Sequence, residues 1–358
     1  VAGTLAVATI STAFFFVVYA PVVIEPAVDV EIRPGETAGE VASDLEATGV
    51  VRSARILLLL ARLDDLDRQF RHGRHRFSGA MTPQAVLAEL VRTPLQDMLN
   101  VTVPEGMDSF EIAGLLQQQG IVSAEDYRSA VCDPSLAVNI PLPDGADCLE
   151  GYLFPDTYAL TPGTGAREFA SMQLARFREV TASLFDEAAS QFPGALSPHA
   201  ADLDSAPANA TEAERHAELL WRAVTLASII EKETGVPDER PLIASVFHNR
   251  LRRGMRLQAD PTVIYGLRVA GVPWERAVLH EYVRTPGPYN TYMIDGLPPG
   301  PIGNPGLAAL RAALQPTASK YLYFVSNGDG SHQFSTTLVQ HNQAVAELRG
   351  RTVSVGTP

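Results

Sequence analysis

The sequence predicts an α+β protein in three parts: an N-terminal transmembrane helix over residues 1–24, a small βααβ module over 25–97, and a larger α+β domain over 98–350 followed by a short tail. Three observations predict it. Ala2 to Ile24 contains no charged residue. A strand-turn-helix-turn pattern occurs twice at one fixed offset. The rest of the chain carries mostly amphipathic helical stretches with a few short, turn-bounded β patterns, as an α+β fold does.

The uncharged run reaches the roughly 20 apolar residues that a helix needs to cross a bilayer, and exceeds the apolar part of a cleaved signal. It therefore reads as a single membrane span. The chain starts without Met, so a short cytoplasmic segment is expected before it, and the flank that would orient the span by charge is missing.

After the span, Val28–Ile32 reads as a strand, Pro34-Gly35-Glu36-Thr37 as a turn, and Val41, Ala42 and Leu45 as one face of a helix. Gly49 ends that helix, and Ser53 is placed to cap the apolar helix that follows. Aligning Gly35 with Gly106 sets an offset of 71, which also pairs Ile32 with Val103, Glu40 with Glu111, Leu45 with Leu116 and Gly49 with Gly120. Two copies of one module follow from this. Ser78 to Leu90 reads as one more helix, entered through Thr82-Pro83.

Further on, Arg167 to Phe192 reads as a long amphipathic helix, and residues 193–211, rich in Ala, Pro, Ser and Asp, as a flexible insertion. Pro241 opens a helix carrying Asn249 and Arg250. Arg256 to Gly266 reads as an extended segment in which Gln258, Asp260 and Thr262 alternate onto one face. Tyr289-Asn290-Thr291-Tyr292 and the proline-rich Gly296 to Pro305 form a stiff wall, and Leu307–Leu314 a short helix. Tyr321–Val325 and His332–Ser335 make a hairpin around Asn327-Gly328-Asp329-Gly330.

Charge and composition exclude several functions. A net charge of -13 and a pI near 5.1, with no basic stripe, argue against nucleic acid as a partner. No P-loop, G-x-S-x-G or H-E-x-x-H occurs, and the histidines show no ligand spacing, so neither metal nor nucleotide cofactor is expected. Cys132 and Cys148 fit no zinc motif; they are a disulfide in an exported protein or two thiols in a cytosolic one.

The stretch with most chemical content is Leu226 to Gly235. Wound at about 100° per residue, it places Leu226, Ile229, Ile230 and Glu233 on one stripe and leaves Glu231 and Lys232 off it. Gly235 and Pro237 stop the helix just beyond, so Glu233 reaches the rim of a cleft. Burial raises a carboxyl's pKa, which suits a general acid. The spacing alone leaves open that Glu233 is solvated or paired with a cation. Leu149 to Tyr158, with Glu150, Tyr152, Asp156 and further aromatics in one short stretch, reads as a rigid loop presenting an aromatic platform and acids to a ligand, or as a turn stapled by its rings.

Taken together, Ala227–Thr234, Leu149–Tyr158, Met255–Gly266, Tyr289–Tyr292 and Gly296–Gly300 resemble the YceG-like family, the MltG-type endolytic murein transglycosylases. The first copy of the repeat resembles a LysM-like module, although the same pattern also fits any well-made βα unit. The family resemblance implies a lyase on the outer, periplasmic side of the cytoplasmic membrane. It would cut peptidoglycan between N-acetylmuramic acid and N-acetylglucosamine and leave a 1,6-anhydro end. Its catalytic glutamate maps onto Glu233, and no cofactor is implied. Candidate substrate contacts in these motifs are Glu150, Tyr152, Asp156, Gln258, Asp260 and Thr262, with Tyr289, Asn290 and Tyr292 on the wall. Asn249, Arg250 and His332 complete the set. Of these, Glu150, Gln258, Asp260, Asn290 and Tyr292 are the candidates to stabilise transition-state charge. Glycan strands, and possible contacts with penicillin-binding synthases, are the partners implied. A two-carboxylate muramidase using Glu150, or a membrane-anchored glycan-binding scaffold, are the alternatives.

Overall fold

A computed structural model describes residues 20–94, 98–137, 142, 148–191, 211–273 and 279–355. The chain divides into two compact units between Met98 and Leu99.

The first unit runs β1 (Val22–Ile32), α1 (Ala38–Ala47), α2 (Ala54–Leu63), β2 (Gly73–Met81) and α3 (Pro83–Val91). β1 and β2 are antiparallel, from Val22 opposite Met81 to Ile32 opposite Gly73. Val30, Ile32, Val41, Leu45, Leu57 and Phe77 close its core. Thr37 and Glu40 form a capping box at the start of α1, each side chain taking the other's backbone N–H.

Several expectations are corrected here. β1 begins at Val22, so the last residues of the expected span, Val22 to Ile24, lie in a strand. Most of that span, residues 1–19, lies outside the described residues, and among those described no helix is long and apolar enough to cross a membrane. Ser78 to Met81 is strand, not helix: His75 and Phe77 alternate into the core opposite β1, and helix begins only after Thr82, whose Oγ1 accepts from Ala85 N at 3.2 Å. Ser53 sits at the N-cap of α2 but makes no side-chain capping bond.

The second unit runs β3 (Leu99–Thr102), α4 (Ser109–Gln118), α5 (Ala124–Val131), β4 (Thr157–Leu160), α6 (Ala166–Gln191), α7 (Glu212–Glu233), α8 (Arg240–Arg252), α9 (Asp260–Val269), α10 (Leu279–Tyr282), α11 (Leu307–Leu314), β5 (Tyr323–Ser326), β6 (His332–Ser335) and α12 (Leu338–Val355). β3 pairs antiparallel with β4, and β5 with β6. The architecture is α+β, with helices carrying most of the core.

β3-α4-α5-β4 repeats the order of β1-α1-α2-β2. Both first helices have 10 residues, and the capping box recurs at Asp108 and Glu111. Gly35 and Gly106 hold φ of 87° and 80° at matching turns. In the second copy Cys132 and Cys148 are joined in a disulfide between α5 and β4.

α7 is the spine of this unit. From Leu219 to Glu231 almost every side chain is buried, and α11 lies along it. The proline-rich wall also packs on α7: Trp221 Nε1 donates to Pro299 O at 3.0 Å. Gly151, at φ 89°, passes so close that a Cβ there would stand 2.6 Å from Pro301 and 2.7 Å from Val224.

The stretch around it is no exposed aromatic platform. Tyr152, Phe154 and Tyr158 all point into the core, where Tyr152 stacks on Trp221 with centroids 6.0 Å apart. The expected extended segment at 256–266 is also revised. Asp260 and Pro261 open α9, an acid and a proline in the first turn, where dipole and missing N–H both favour them. Helical winding breaks the alternation, so Gln258, Asp260 and Thr262 do not share a face. The expected insertion lies outside the described residues except for Thr211, which caps α7 through a box with Glu214.

Candidate active site

The last turn of α7 holds two glutamates with opposite surroundings. The wheel set Glu231 off the apolar stripe, but the C-terminal half of α7 is enclosed on all sides and Glu231 is buried. Its carboxylate accepts from Arg240 Nη2 at 2.6 Å and from Gly306 N at 3.0 Å. Glu233, two residues on, is half-buried and has no hydrogen-bond donor among the described residues. Thr234 then leaves the helix in an extended conformation, which ends α7 at the carboxyl in question.

Burial pushes the Glu233 carboxyl up to about 8; Asp260 adds to this by like-charge repulsion, and Arg250 opposes it. Arg250 comes from α8. It is itself buried, donating through Nε to Leu322 O at 2.7 Å and through Nη1 to Leu257 O at 2.6 Å, with its guanidinium 5.3 Å from the Tyr323 ring centroid. Asp260 is exposed at the start of α9, and its Oδ1 accepts the Tyr292 hydroxyl at 2.6 Å. Burial, that bond and the charge of Glu233 all hold the Tyr292 phenol above its ordinary value.

Glu233, Arg250, Asp260 and Tyr292 thus form one electrostatic group drawn from α7, α8, α9 and the wall. Backbone bonds fix their relative placement. Gln258 N donates to Thr291 O at 3.1 Å, and Ala259 N to Thr291 Oγ1 at 2.9 Å. Asn290 Nδ2 gathers the carbonyls of Tyr282, Val283 and Thr285, and its Oδ1 takes Tyr292 N at 3.0 Å. Gln258 is exposed at φ 52°, a strained left-handed conformation for a residue with a side chain, next to the group.

The other candidates are placed elsewhere or turned inward. Glu150 is buried and saturated: Ser109 N, Ser109 Oγ at 2.6 Å, Tyr265 Oη at 3.2 Å and Asn304 Nδ2 at 2.8 Å all donate to it. Burial raises it to about 7, against the pull of the Ser109 bonds, and its charge is not among those acting on Glu233. Tyr152 is in the core, and Thr262 is fully buried against Thr291. Asp156 is paired with Arg176 at 2.7 Å. Asn249 spends its amide on the carbonyls of Ser319 and Tyr321. Tyr289 packs edge-on against Tyr265. His332 Nδ1 lies 2.6 Å from Glu239 Oε2, and its backbone N–H donates to the same carboxylate.

Three structural residues of the site were not anticipated. Asn304 ties the wall to the 149–153 loop, its Oδ1 accepting from Gly151 N and Leu153 N. Tyr323 faces Arg250, and His341 stacks on Tyr323 with centroids 5.3 Å apart. Burial and Arg250 together push the His341 imidazole down. Tyr323 was visible only as an alternate position of the β5 pattern; nothing in the sequence marked Asn304 as a hub.

The sequence profile of the YceG-like family matches residues 30–347. The chain belongs to this family. Among relatives of this YceG-like protein is the endolytic murein transglycosylase of Bacillus subtilis, 28% identical over 335 residues that span 88% of the chain and 83% of the relative. The endolytic murein transglycosylase of Streptococcus pneumoniae strain D39 is 30% identical over 348 residues, and the chain spans only 58% of its length. A solved YceG-like protein from Listeria monocytogenes superposes with a TM-score of 0.55 at 28% identity, covering 90% of this chain and all of that one.

Proposed function

We propose that this protein is an endolytic peptidoglycan lytic transglycosylase, with Glu233 as its one acid and base. The reading rests on the named relatives, and on one observation above all: Glu233 is a partly covered carboxyl raised to about 8 that has no hydrogen-bond donor among the described residues. At neutral pH it carries a proton. An ordinary glycosidase needs a second carboxylate for a water or a covalent bond. Glu150 is poorly suited to that, since four donors already occupy it.

In the proposed reaction Glu233 donates its proton to the glycosidic oxygen between N-acetylmuramic acid and N-acetylglucosamine. The bond from the anomeric carbon to that oxygen breaks, and positive charge develops on the muramoyl ring. The substrate's own 6-hydroxyl then bonds to the anomeric carbon and returns its proton to the Glu233 carboxylate. No water enters, and the acid is regenerated. Asp260, oriented by Tyr292, supplies the negative charge that opposes the developing cation. Arg250 supports the carboxylate form of Glu233 at mid-reaction.

The uncharged residues 2–21 support a membrane anchor ahead of β1, and the βααβ order of the first unit supports a LysM-like glycan-binding role. Such an enzyme would work beside the synthases that make the strands. The test is mass analysis of products from purified, uncross-linked glycan. Fragments ending in 1,6-anhydro-muramoyl units, one water lighter than hydrolysis products, are expected. Hydrolytic ends, or full activity in Glu233→Gln, would overturn the proposal.

A further inference from the structure

Helix α2 has an exposed face that nothing in the first unit covers. Of its ten residues, six are Ile or Leu, yet only Leu57 among them is fully buried. With Leu57 and Ala61 turned to the core, the opposite face carries Leu59 at 54% exposure and Leu63 at 70%, flanked by Arg55 and Arg62. Large leucines this exposed on one helical face are costly in water and mark a contact surface.

The position of the helix says what that surface meets. Arg52, just ahead of α2, donates to the carbonyls of Ala20 at 2.6 Å and Pro21 at 2.9 Å. The N-terminus of α2 is thereby fixed to the end of the uncharged run that precedes β1. Val22 and Ile56 line the same crevice, and Val23 beside them is 67% exposed. Charge points the same way. The chain carries a net -13, yet between Glu46 and Asp64 there are three arginines and no acid. An apolar helix face edged with arginine, in an otherwise acidic protein, fits the headgroup layer of a membrane that contains anionic phospholipid.

We propose that the Arg55, Leu59, Arg62 and Leu63 face of α2 lies on the bilayer surface, seating the first unit against the membrane beside its own anchor. This rests on the proposed membrane anchor ahead of β1, and the experiment separates the two. Both cysteines of the chain are bonded to each other, so single cysteines can be labelled selectively. The full chain is reconstituted into vesicles of phosphatidylcholine and phosphatidylglycerol, with an environment-sensitive fluorophore at Leu59→Cys, Leu63→Cys or, as a control on exposed α1, Ser43→Cys. Flotation first reports the anchor. The labels at 59 and 63 should shift to the blue and lose roughly half their intensity to phospholipids with shallow nitroxides, as a face sunk about 5–10 Å into the interface does. The label at 43 should do neither. Vesicle-bound protein whose labels at 59 and 63 stay unshifted overturns the inference and leaves the anchor standing. A blue shift without lipid quenching also overturns it, since the face is then covered by protein. Failure to float removes the anchor and the inference with it.

Discussion

Replacing Glu233 by Gln should make the second unit more stable, and increasingly so as pH rises. In the unfolded chain this carboxyl titrates near 4.5, while in the fold burial and Asp260 raise it to about 8. Between those values the folded protein holds a proton that the unfolded chain has released, so stability falls with pH at about 1.4 kcal/mol per pH unit. The contribution is intact below pH 4.5 and is lost as pH climbs toward 8. Glutamine cannot titrate and lacks that slope. The advantage of Glu233→Gln over the parent should therefore grow by about 3 kcal/mol between pH 5 and pH 8. Comparing two pH values cancels whatever the amide itself costs. Urea unfolding followed by tryptophan fluorescence is the assay, because Trp221 is buried in the core of the second unit. Midpoints are compared only where the slope with urea is unchanged. Equal pH dependence of parent and variant would mean that Glu233 titrates as an ordinary surface carboxyl, and the acid proposed for catalysis would have no physical basis.

Asp260→Asn removes the like charge that helps to raise Glu233, so the alkaline limb of kcat/KM against pH should move to lower pH; a limb that stays put or moves up disproves the coupling. Glu231→Gln leaves Arg240, whose side chain is 9% exposed, with the longer contact to Glu105 at 3.7 Å, and should cost about 2 kcal/mol in urea unfolding, while Glu231→Gln with Arg240→Met should recover most of it. Replacing both Cys132 and Cys148 by Ser opens a link across 16 residues and should lower stability by about 3 kcal/mol, read as a lower Tm that no longer responds to reductant.

What the sequence disclosed was local or repeated. The 71-residue offset predicted two copies of one module, and the structure answers with first helices of equal length, matching capping boxes and matched positive-φ glycines. Those features depend on neighbours within four residues. The βααβ order called for a second strand but its residues were not placed, because Gly73 to Met81 has meaning only opposite β1, and a short run beside Thr82-Pro83 has the composition of a helix start. The segment at 256–266 was misassigned for a related reason. Alternation suggested a strand, but no partner strand pairs there among the described residues, and the Asp260-Pro261 start carries it into helix. Thr262 accordingly faces the core, and Asp260 the site.

The site was legible only as a list of polar residues, because what separates a working carboxyl from a structural one is its donors. Glu150 and Glu231 are buried, and Glu233 is half-buried. Glu150 takes its bonds from residues as far away in the chain as Asn304, and Glu231 from Arg240 and Gly306. No helical periodicity reports partners at such separations. Every bond to the charged form opposes protonation, so donors work against burial; at Glu150 burial still prevails and raises the carboxyl to about 7, but four donors already occupy it. Where donors are withheld, the same burial favours the neutral acid, at a cost in stability that the rest of the fold must absorb. The fold thus sorts three chemically equal side chains by what surrounds them: donors saturate Glu150 and fix Glu231 to α11, while Glu233, at the point where Thr234 turns the chain out of α7, is left to hold its own proton.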